Sequence, residues 1–465
     1  MRRGTTLPNG SQPRPTWLSF SKSMPRRRRA GWREAVPGKK MIRNILLNTL
    51  WIYALQASTA IVPLLTVPFA TRIIGLDGIA FFGTAVAIGS VASVVSEYSF
   101  DLSGIKDAAR AQSSRAAKNV VIVQRLYAQW SIFLVLVALA VLFTLLPLGI
   151  STGGWSLAFA AMLVTVSNVA FPFWVSQSLG LERRYTAHFA LARLLSLPLV
   201  FLALEKWPTG FYYVVALYLP LALSLGLLLV RSLGRDLMLE PYRVRPLLSV
   251  LATSFDVFLS RLFVALYQNG GLLALGMVAT PEAVGLFALA DRVRKASLFL
   301  LTPISRALYP VACSLANDPA ERSGAAFRLV FLAYLGAGAL ITAGLFSFSS
   351  QIAAFFTDED PTTLAAMVKV FAFFPLVSSG TIVLGQNVLL ARGHVSAYTQ
   401  SVIGAFIFYA MMVFPLAFFA QALGVSIAFL SAEVTLAAAF LLLSWRVRSL
   451  PRAEEMEVTP VEQPR

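Results

Sequence analysis

Four ionisable residues, Asp291, Arg292, Arg294 and Lys295, stand in little more than one turn of an otherwise apolar stretch, 283–305. They lie about ten residues in from its start. At 1.5 Å per residue that is roughly 15 Å, near the midplane of a ~30 Å hydrocarbon core. At 100° per residue the four side chains share an arc of about 160°, and Val293 points the other way. A basic side chain at the bilayer centre costs on the order of 3 kcal/mol, so three together must face water, protein or an anionic ligand. Two readings follow. One is a cationic cavity for an anionic substrate. The other is a structural ion network in which Asp291 pairs with Arg294 and Lys295 at helical spacing, leaving about two positive charges uncompensated. Glu433, in the stretch 425–445, is a candidate to neutralise one more. Asp256 and Arg261, in the stretch 249–275, are further candidates. Asp256, Ser260 and Tyr267 fall within about 40° on one helical face. Arg261, Arg292, Arg294 and Lys295 are thus the candidate substrate-binding cations. Asp256, Asp291 and Glu433 are the candidate ion-coupling or charge-balancing carboxylates.

Other charges carry less. Arg193 and Lys369 lie near the ends of their apolar stretches and are expected to snorkel to the interface. Glu97 and Asp101 end the second stretch beside Lys106 and Arg110, their expected partners, and Arg72 is expected to anchor the first at the outer surface. Cys313 is the only cysteine, which excludes a disulfide within the chain. The two histidines, His188 and His394, are far apart, and no cluster has metal-ligand spacing. No metal, no cofactor and no catalytic residues are expected.

The elements that must position these charges are membrane helices. Hydrophobic residues make up 57% of the 465-residue chain and charged residues 13%, and mean hydropathy is +0.72. A soluble domain could not hide that much apolar surface, but lipid can solvate it. Twelve stretches approach or exceed the ~20 residues a spanning helix needs. They are 44–71, 79–101, 120–147, 155–176, 188–204, 211–230, 249–275, 283–305, 326–348, 365–391, 400–419 and 425–445.

Lys106, Arg110, Arg115, Lys118, Arg183, Arg184, Arg231, Arg235, Arg243, Arg245, Arg306, Arg322, Arg328 and Arg392 fall in the loops of one side. The other side has only Arg72 and Lys206, and carries the acidic run Asp358, Glu359, Asp360. The positive-inside rule places the basic loops and both termini in the cytoplasm, which needs an even number of spans. The net charge of +17 is therefore no sign of nucleic-acid binding. Twelve Lys and Arg residues crowd the first 43 positions against one acid, Glu34. That tail is rich in Pro, Ser and Arg without an apolar period, and is read as disordered, with anionic lipid as its expected neighbour. The first apolar stretch is too long for a cleavable signal peptide and lacks a small-residue cleavage site.

The chain repeats after six spans. Asp77-Gly78-Ile79-Ala80-Phe81-Phe82-Gly83 opens the second, and Glu282-Ala283-Val284-Gly285-Leu286-Phe287-Ala288 opens the eighth, with the same order of residue types. Six spans return the chain to its starting side, so the halves share one topology and relate naturally by an axis along the membrane normal. The expected fold is an all-α integral membrane protein, with twelve transmembrane helices in two pseudo-symmetric six-helix lobes around a central cavity. The expected boundaries are a basic cytoplasmic tail (1–43), a first lobe (44–231), a cytoplasmic linker (232–248), a second lobe (249–447) and a cytoplasmic C-terminal tail (448–465).

Several stretches resemble one family. These are Val67-Pro68-Phe69-Ala70-Thr71-Arg72-Ile73-Ile74-Gly75, and Phe171-Pro172-Phe173-Trp174 continuing to Gln177-Ser178-Leu179-Gly180-Leu181-Glu182-Arg183. Ala290-Asp291-Arg292 followed by Leu308-Tyr309-Pro310, and Ser254-Phe255-Asp256, complete the set. Together, over about residues 41–450, they are similar to the Wzx-type O-antigen flippases of the multidrug/oligosaccharidyl-lipid/polysaccharide exporter superfamily. Ser178 stands where that family usually has Gly, and Asp291 where Glu is common. The resemblance implies a transporter in the bacterial inner membrane that is not an enzyme. It implies a substrate of undecaprenyl-diphosphate-linked oligosaccharide, moved outward by alternating access, and other polysaccharide-assembly proteins as partners.

Three alternatives stand beside this. A cation-coupled multidrug exporter of the same fold would find its usual cationic drugs repelled by intramembrane positive charge. A membrane-embedded polysaccharide polymerase or glycosyltransferase would need a large outer loop with catalytic groups, and the longest here, about 349–364, has three acids but no Lys, Arg or His. A scaffolding membrane protein would not need the charges at 291–295. Reporter fusions test the orientation: a fusion after Arg245 should report a cytoplasmic position and one at Asp360 an external one. Cytoplasmic activity at Asp360 would overturn the twelve-span topology.

Overall fold

The structure is a computed structural model that describes residues 39–111, 114–145, 154–239, 241, 244–316, 322–390 and 394–448. Most of the two predicted tails lies outside the described residues, as do the side chains of Asp256, Arg245, Arg306, Arg322, Arg328 and Cys313. The chain divides at Trp51 into two compact units. In the first, residues 39–51 are helical; the contacts described below all lie in the second.

The protein is almost entirely helical. Its α-helices are α1 (Lys39–Glu97), α2 (Phe100–Arg110), α3 (Arg115–Leu145), α4 (Gly154–Val169), α5 (Phe173–Leu179), α6 (Glu182–Lys206), α7 (Gly210–Ser232), α8 (Val244–Val278), α9 (Pro281–Ala316), α10 (Arg322–Ser347), α11 (Ser349–Phe356), α12 (Pro361–Ala372), α13 (Phe374–Ile382) and α14 (Val395–Arg448). A π-helical segment, Val383–Leu390, extends α13. Among the described residues, eight helical stretches are long and apolar enough to cross a membrane, or nine if α10 and α11, bent by 65° at their junction, make one span.

The expected twelve spans differ from this number partly because two stretches, Val62–Arg110 and Ser396–Arg446, are 49 and 51 residues long. At 1.5 Å per residue each is about 75 Å, more than twice a hydrocarbon core. Both are broken. Gly75 interrupts α1 with φ 68°, a left-handed conformation that costs glycine no Cβ clash. Gln421 interrupts α14 with φ 45°. These breaks fall between the first and second, and the eleventh and twelfth, stretches read from the sequence.

Large apolar side chains remain exposed along the helices, among them Leu134 and Leu139 on α3, Leu194 and Leu202 on α6, and Met411, Phe418 and Phe419 on α14. An apolar belt of this extent is the surface that lipid solvates. Inside it one buried cluster joins both halves of the chain, with Leu76, Ile79 and Phe82 of α1 packing with Leu272 and Leu275 of α8, Leu286 and Phe287 of α9, Phe371 of α12 and Phe429 of α14.

Polar contacts tie the two ends. At one end Arg72 pairs with Asp358 at 3.2 Å, and the Leu76 amide donates to both carboxylate oxygens of Glu359 at 3.3 and 3.4 Å. The turn at 72–78 and the acidic run thus meet, as charge alternation along the chain requires. At the other end Arg261 of α8 pairs with Asp101 of α2 at 2.6 Å, the Tyr98 and Phe258 rings stack at 4.3 Å, and Ser254 donates to Ser103. This corrects the expected pairing of Asp101. Tyr98 and Ser99 adopt positive φ and turn α2 out of line with α1, so Asp101 meets α8, while Arg110 pairs with Asp107 at 3.7 Å.

Gly285 lies where the two halves approach closely. A Cβ there would stand 2.3 Å from the Leu76 carbonyl oxygen, a backbone atom that cannot swing aside. Gly336 faces open space. Gly285→Ala should therefore lower stability by about 1–3 kcal/mol, the usual cost of overpacking. Gly336→Ala should leave it unchanged or slightly raised. Thermal unfolding of the detergent-purified variants measures both.

Candidate functional site

α9 carries the predicted charges at the eleventh to fifteenth positions from Pro281, and distributes them over two faces. The face toward α12, α13 and α14 buries Asp291 and Arg294, whose side chains are 5% and 4% exposed. Arg294 Nε and Nη2 donate to Asp291 Oδ1 at 2.8 and 2.5 Å, and Lys295 Nζ reaches Asp291 Oδ2 at 2.8 Å. The pairings expected at i+3 and i+4 are therefore made. The guanidinium of Arg294 is caged by aromatic faces, 4.3 Å from the Phe429 centroid, 5.0 Å from Phe374 and 5.9 Å from Phe371. Each ring presents its negative π face to the cation. Removing either member of such a buried pair leaves an uncompensated charge, which costs about 3–5 kcal/mol.

The other face presents Arg292 and half-exposed Lys295 to a cavity of about 250 Å³. Thr59, Pro63 and Leu64 of α1 form its opposite wall, and Phe299 and Phe356 also line it. Leu64 is 42% exposed on that wall. Arg292 also lies over the Phe82 ring at 4.7 Å, and Phe82 packs on Tyr213 of α7 at 4.6 Å. The cluster is thus an ion triad, Asp291 with Arg294 and Lys295, whose Lys295 also reaches the boundary between halves, where it lines the cavity beside Arg292.

The remaining predicted residues stand apart. Arg261 is engaged by Asp101 at the helix ends. Asp256 lies on α8, but its side chain is outside the described residues. Glu433 is buried on α14, one turn beyond Phe429, and accepts hydrogen bonds from Tyr267 at 3.1 Å, Ser378 at 3.0 Å and Thr381 at 2.9 Å. All three donors are hydroxyls, where a cation was expected. Its carboxylate is held in a polar pocket of its own behind the Arg294 cage.

Arg193 requires a correction. It does not snorkel, being 7% exposed, with Nε and Nη1 buried and lacking any hydrogen-bond partner. Its guanidinium lies 5.2 Å from the Tyr218 ring and 5.5 Å from the Phe189 ring. The physical reason is where the helix begins. α6 starts at Glu182, not near 188, so Arg193 is the twelfth residue in, about 16 Å along the axis and beyond snorkelling reach of that end. Arg292 is likewise the twelfth residue of α9. Lys369 is exposed on α12, its Nζ 5.9 Å from the Phe346 ring.

Comparison with known proteins follows the same lines. Residues 45–315 match the family described as polysaccharide biosynthesis protein. The chain is 24% identical over 407 residues to a protein of Escherichia coli strain K12 named "Putative O-antigen transporter", covering 83% of this chain and 93% of the relative. A protein of the same name from Shigella dysenteriae is 22% identical over 395 residues, covering 83% and 96%. Among solved structures, the lipid II flippase MurJ in an inward closed conformation matches with a TM-score of 0.63 at 13% identity, over 87% of this chain and 88% of that one. An inward-facing multidrug resistance transporter of the MATE family, in the MOP superfamily, matches with a TM-score of 0.60 at 16% identity, over 84% and 98%. These structures share the fold of this chain, and the family match spans more than half its length. The chain belongs to the polysaccharide biosynthesis protein family.

Proposed function

We propose that this protein is a flippase that moves an undecaprenyl-diphosphate-linked oligosaccharide from the cytoplasmic to the outer leaflet of the bacterial inner membrane. The observation that carries this reading is the cavity between α1 and α9, lined by Arg292 and Lys295 with exposed Leu64 on its opposite wall. Two fixed cations near the midplane suit a diphosphate, since charge-assisted hydrogen bonds to phosphate are strong where water is scarce. In this reading the polyprenyl tail stays in hydrocarbon while the head group enters the cavity. The relatives named as O-antigen transporters, and the fold shared with a lipid II flippase, support the same reading.

In this reading twelve helices form two lobes, 44–231 and 249–447, joined by the linker 232–248, with both termini cytoplasmic. The breaks at Gly75 and Gln421, the bent α10–α11 pair and α9 support that count. A pseudo-two-fold axis is supported by Gly83 and Ala288, equivalent positions of the internal repeat, which pack against each other. Alternating access then rocks one lobe on the other. The contacts Arg261–Asp101 and Tyr98–Phe258 open to load substrate, and Arg72–Asp358 and Glu359–Leu76 open to release it. Buried Arg193, with two unpartnered N–H groups, offers the first lobe's cation to the head group once the lobes part. Asp291, locked between two cations, balances charge. Glu433, held only by hydroxyls, is the favoured carboxylate for a coupling proton, and Asp256 is the alternative. A multidrug exporter of cationic drugs is disfavoured by the two cations of the cavity.

A genetic complementation assay tests this. Replacing Arg292 and Lys295 together by Gln should abolish surface glycan while the protein reaches the membrane at its normal level. Asp291→Asn should instead destabilise the protein by about 3–5 kcal/mol through the stranded Arg294, read as a lowered Tm in detergent. Normal glycan export by the double variant would overturn the cationic-cavity mechanism.

A further inference from the structure

A second, larger cavity of about 470 Å³ lies at the opposite end of the molecule from the acidic run, and the transport reading does not use it. It sits between the start of α3 and the turn that follows α7. Arg115, Lys118, Asn119, Arg235, Asp236 and Met238 form its polar rim. Arg115, Lys118 and Arg235 have no ion-pair partner among the described residues. The single acid, Asp236, already pairs with Arg184 at 3.3 Å. Three cations therefore converge on one concave surface without compensation.

The wall that holds Arg235 is fixed. Asn119 clamps Met238 at both ends, its Nδ2 donating to the Met238 carbonyl at 2.8 Å and its Oδ1 accepting from the Met238 amide at 2.9 Å. Gln124, further along α3, donates to the Pro241 carbonyl at 2.9 Å. The Asp236 and Leu237 amides both donate to the Ser232 carbonyl. A site whose cations are held in place before binding loses less entropy on taking a ligand.

The surroundings identify the kind of ligand. Arg115 and Lys118 begin a 31-residue helix that exposes Val120 in its second turn and Leu134, Val135 and Leu139 further on, so the cleft adjoins the start of the helix's apolar surface. Apolar side chains are exposed beside the cations, with Met238 at 64% and Leu239 at 67%. A soluble anion gains nothing from that flank, whereas an amphiphile does. We propose that this cleft binds the phosphate of an anionic phospholipid, with the glycerol and acyl chains lying over Met238 and Leu239. The site is independent of what the central cavity carries. It also pins a lipid to the segment that joins the two halves of the chain.

Native mass spectrometry of the detergent-purified full chain tests the site. Delipidated protein is titrated with dioleoylphosphatidylglycerol, with dioleoylphosphatidylethanolamine for comparison. Each basic residue near an anionic surface contributes enough for about a fivefold change in affinity. Replacing Arg115, Lys118 and Arg235 by Gln should weaken the tightest phosphatidylglycerol site about a hundredfold, with the N-terminal tail present in both proteins. Asp236→Asn should tighten it about fivefold, a change of opposite sign that loss of folding cannot imitate. Unchanged retention in both variants would overturn the proposal, as would equal retention of phosphatidylethanolamine. Displacement of the lipid by millimolar inorganic phosphate would show a soluble-anion site instead and would equally overturn it.

Discussion

A guanidinium cannot stand bare in hydrocarbon, and the packing around α9 is organised by that constraint. Arg294 is satisfied twice over, by the Asp291 carboxylate on its own helix and by three aromatic faces from α12, α13 and α14. The cage draws these helices onto α9, and Phe429 in turn packs against Tyr267 of α8 at 4.7 Å. Behind it, Glu433 closes a hydroxyl network that reaches α8 and α13. The second half of the chain is therefore built around one buried ion pair and one buried carboxylate, both fully engaged. Because Asp291 is taken by Arg294 and Lys295, its own helix leaves Arg292 without an acid, and Arg292 is supported by the Phe82 ring across the boundary between halves. Satisfying one cation thus sets another free at the boundary.

What was legible in the sequence follows from the range of each interaction. Asp291 with Arg294 and Lys295 is a contact at helical spacing, fixed by 3.6 residues per turn, and could be read directly. Asp101 with Arg261 was not legible, because the partners are 160 residues apart and depend on the left-handed turn at Ser99. Nor were the hydroxyl partners of Glu433, which come from α8 and α13. Arg193 was misplaced for a local reason. The polar start of α6, Glu182 to His188, hides the first turns of the helix from a hydropathy reading, and the depth of Arg193 is set by those turns. Counting from Glu182 would have put it level with Arg292.

The two ends of the molecule are closed by contacts of different kinds. At the acidic end the contact is partly backbone, since Glu359 accepts from the Leu76 amide and Gly285 lies directly against the Leu76 carbonyl. That fit is steric and tolerates no added methyl. At the basic end the contact is made of side chains, with Arg261 and Asp101 both more than a third exposed. An ion pair so exposed contributes about 0–1 kcal/mol, and the Tyr98–Phe258 stack about 0.5–1.5 kcal/mol. These two contacts together contribute at most on the order of 2 kcal/mol, and the Ser254–Ser103 hydrogen bond and the packing of Val250 and Leu251 add to them. The named polar contacts of the basic end are thus made by side chains, whereas the acidic end is closed by backbone fit as well.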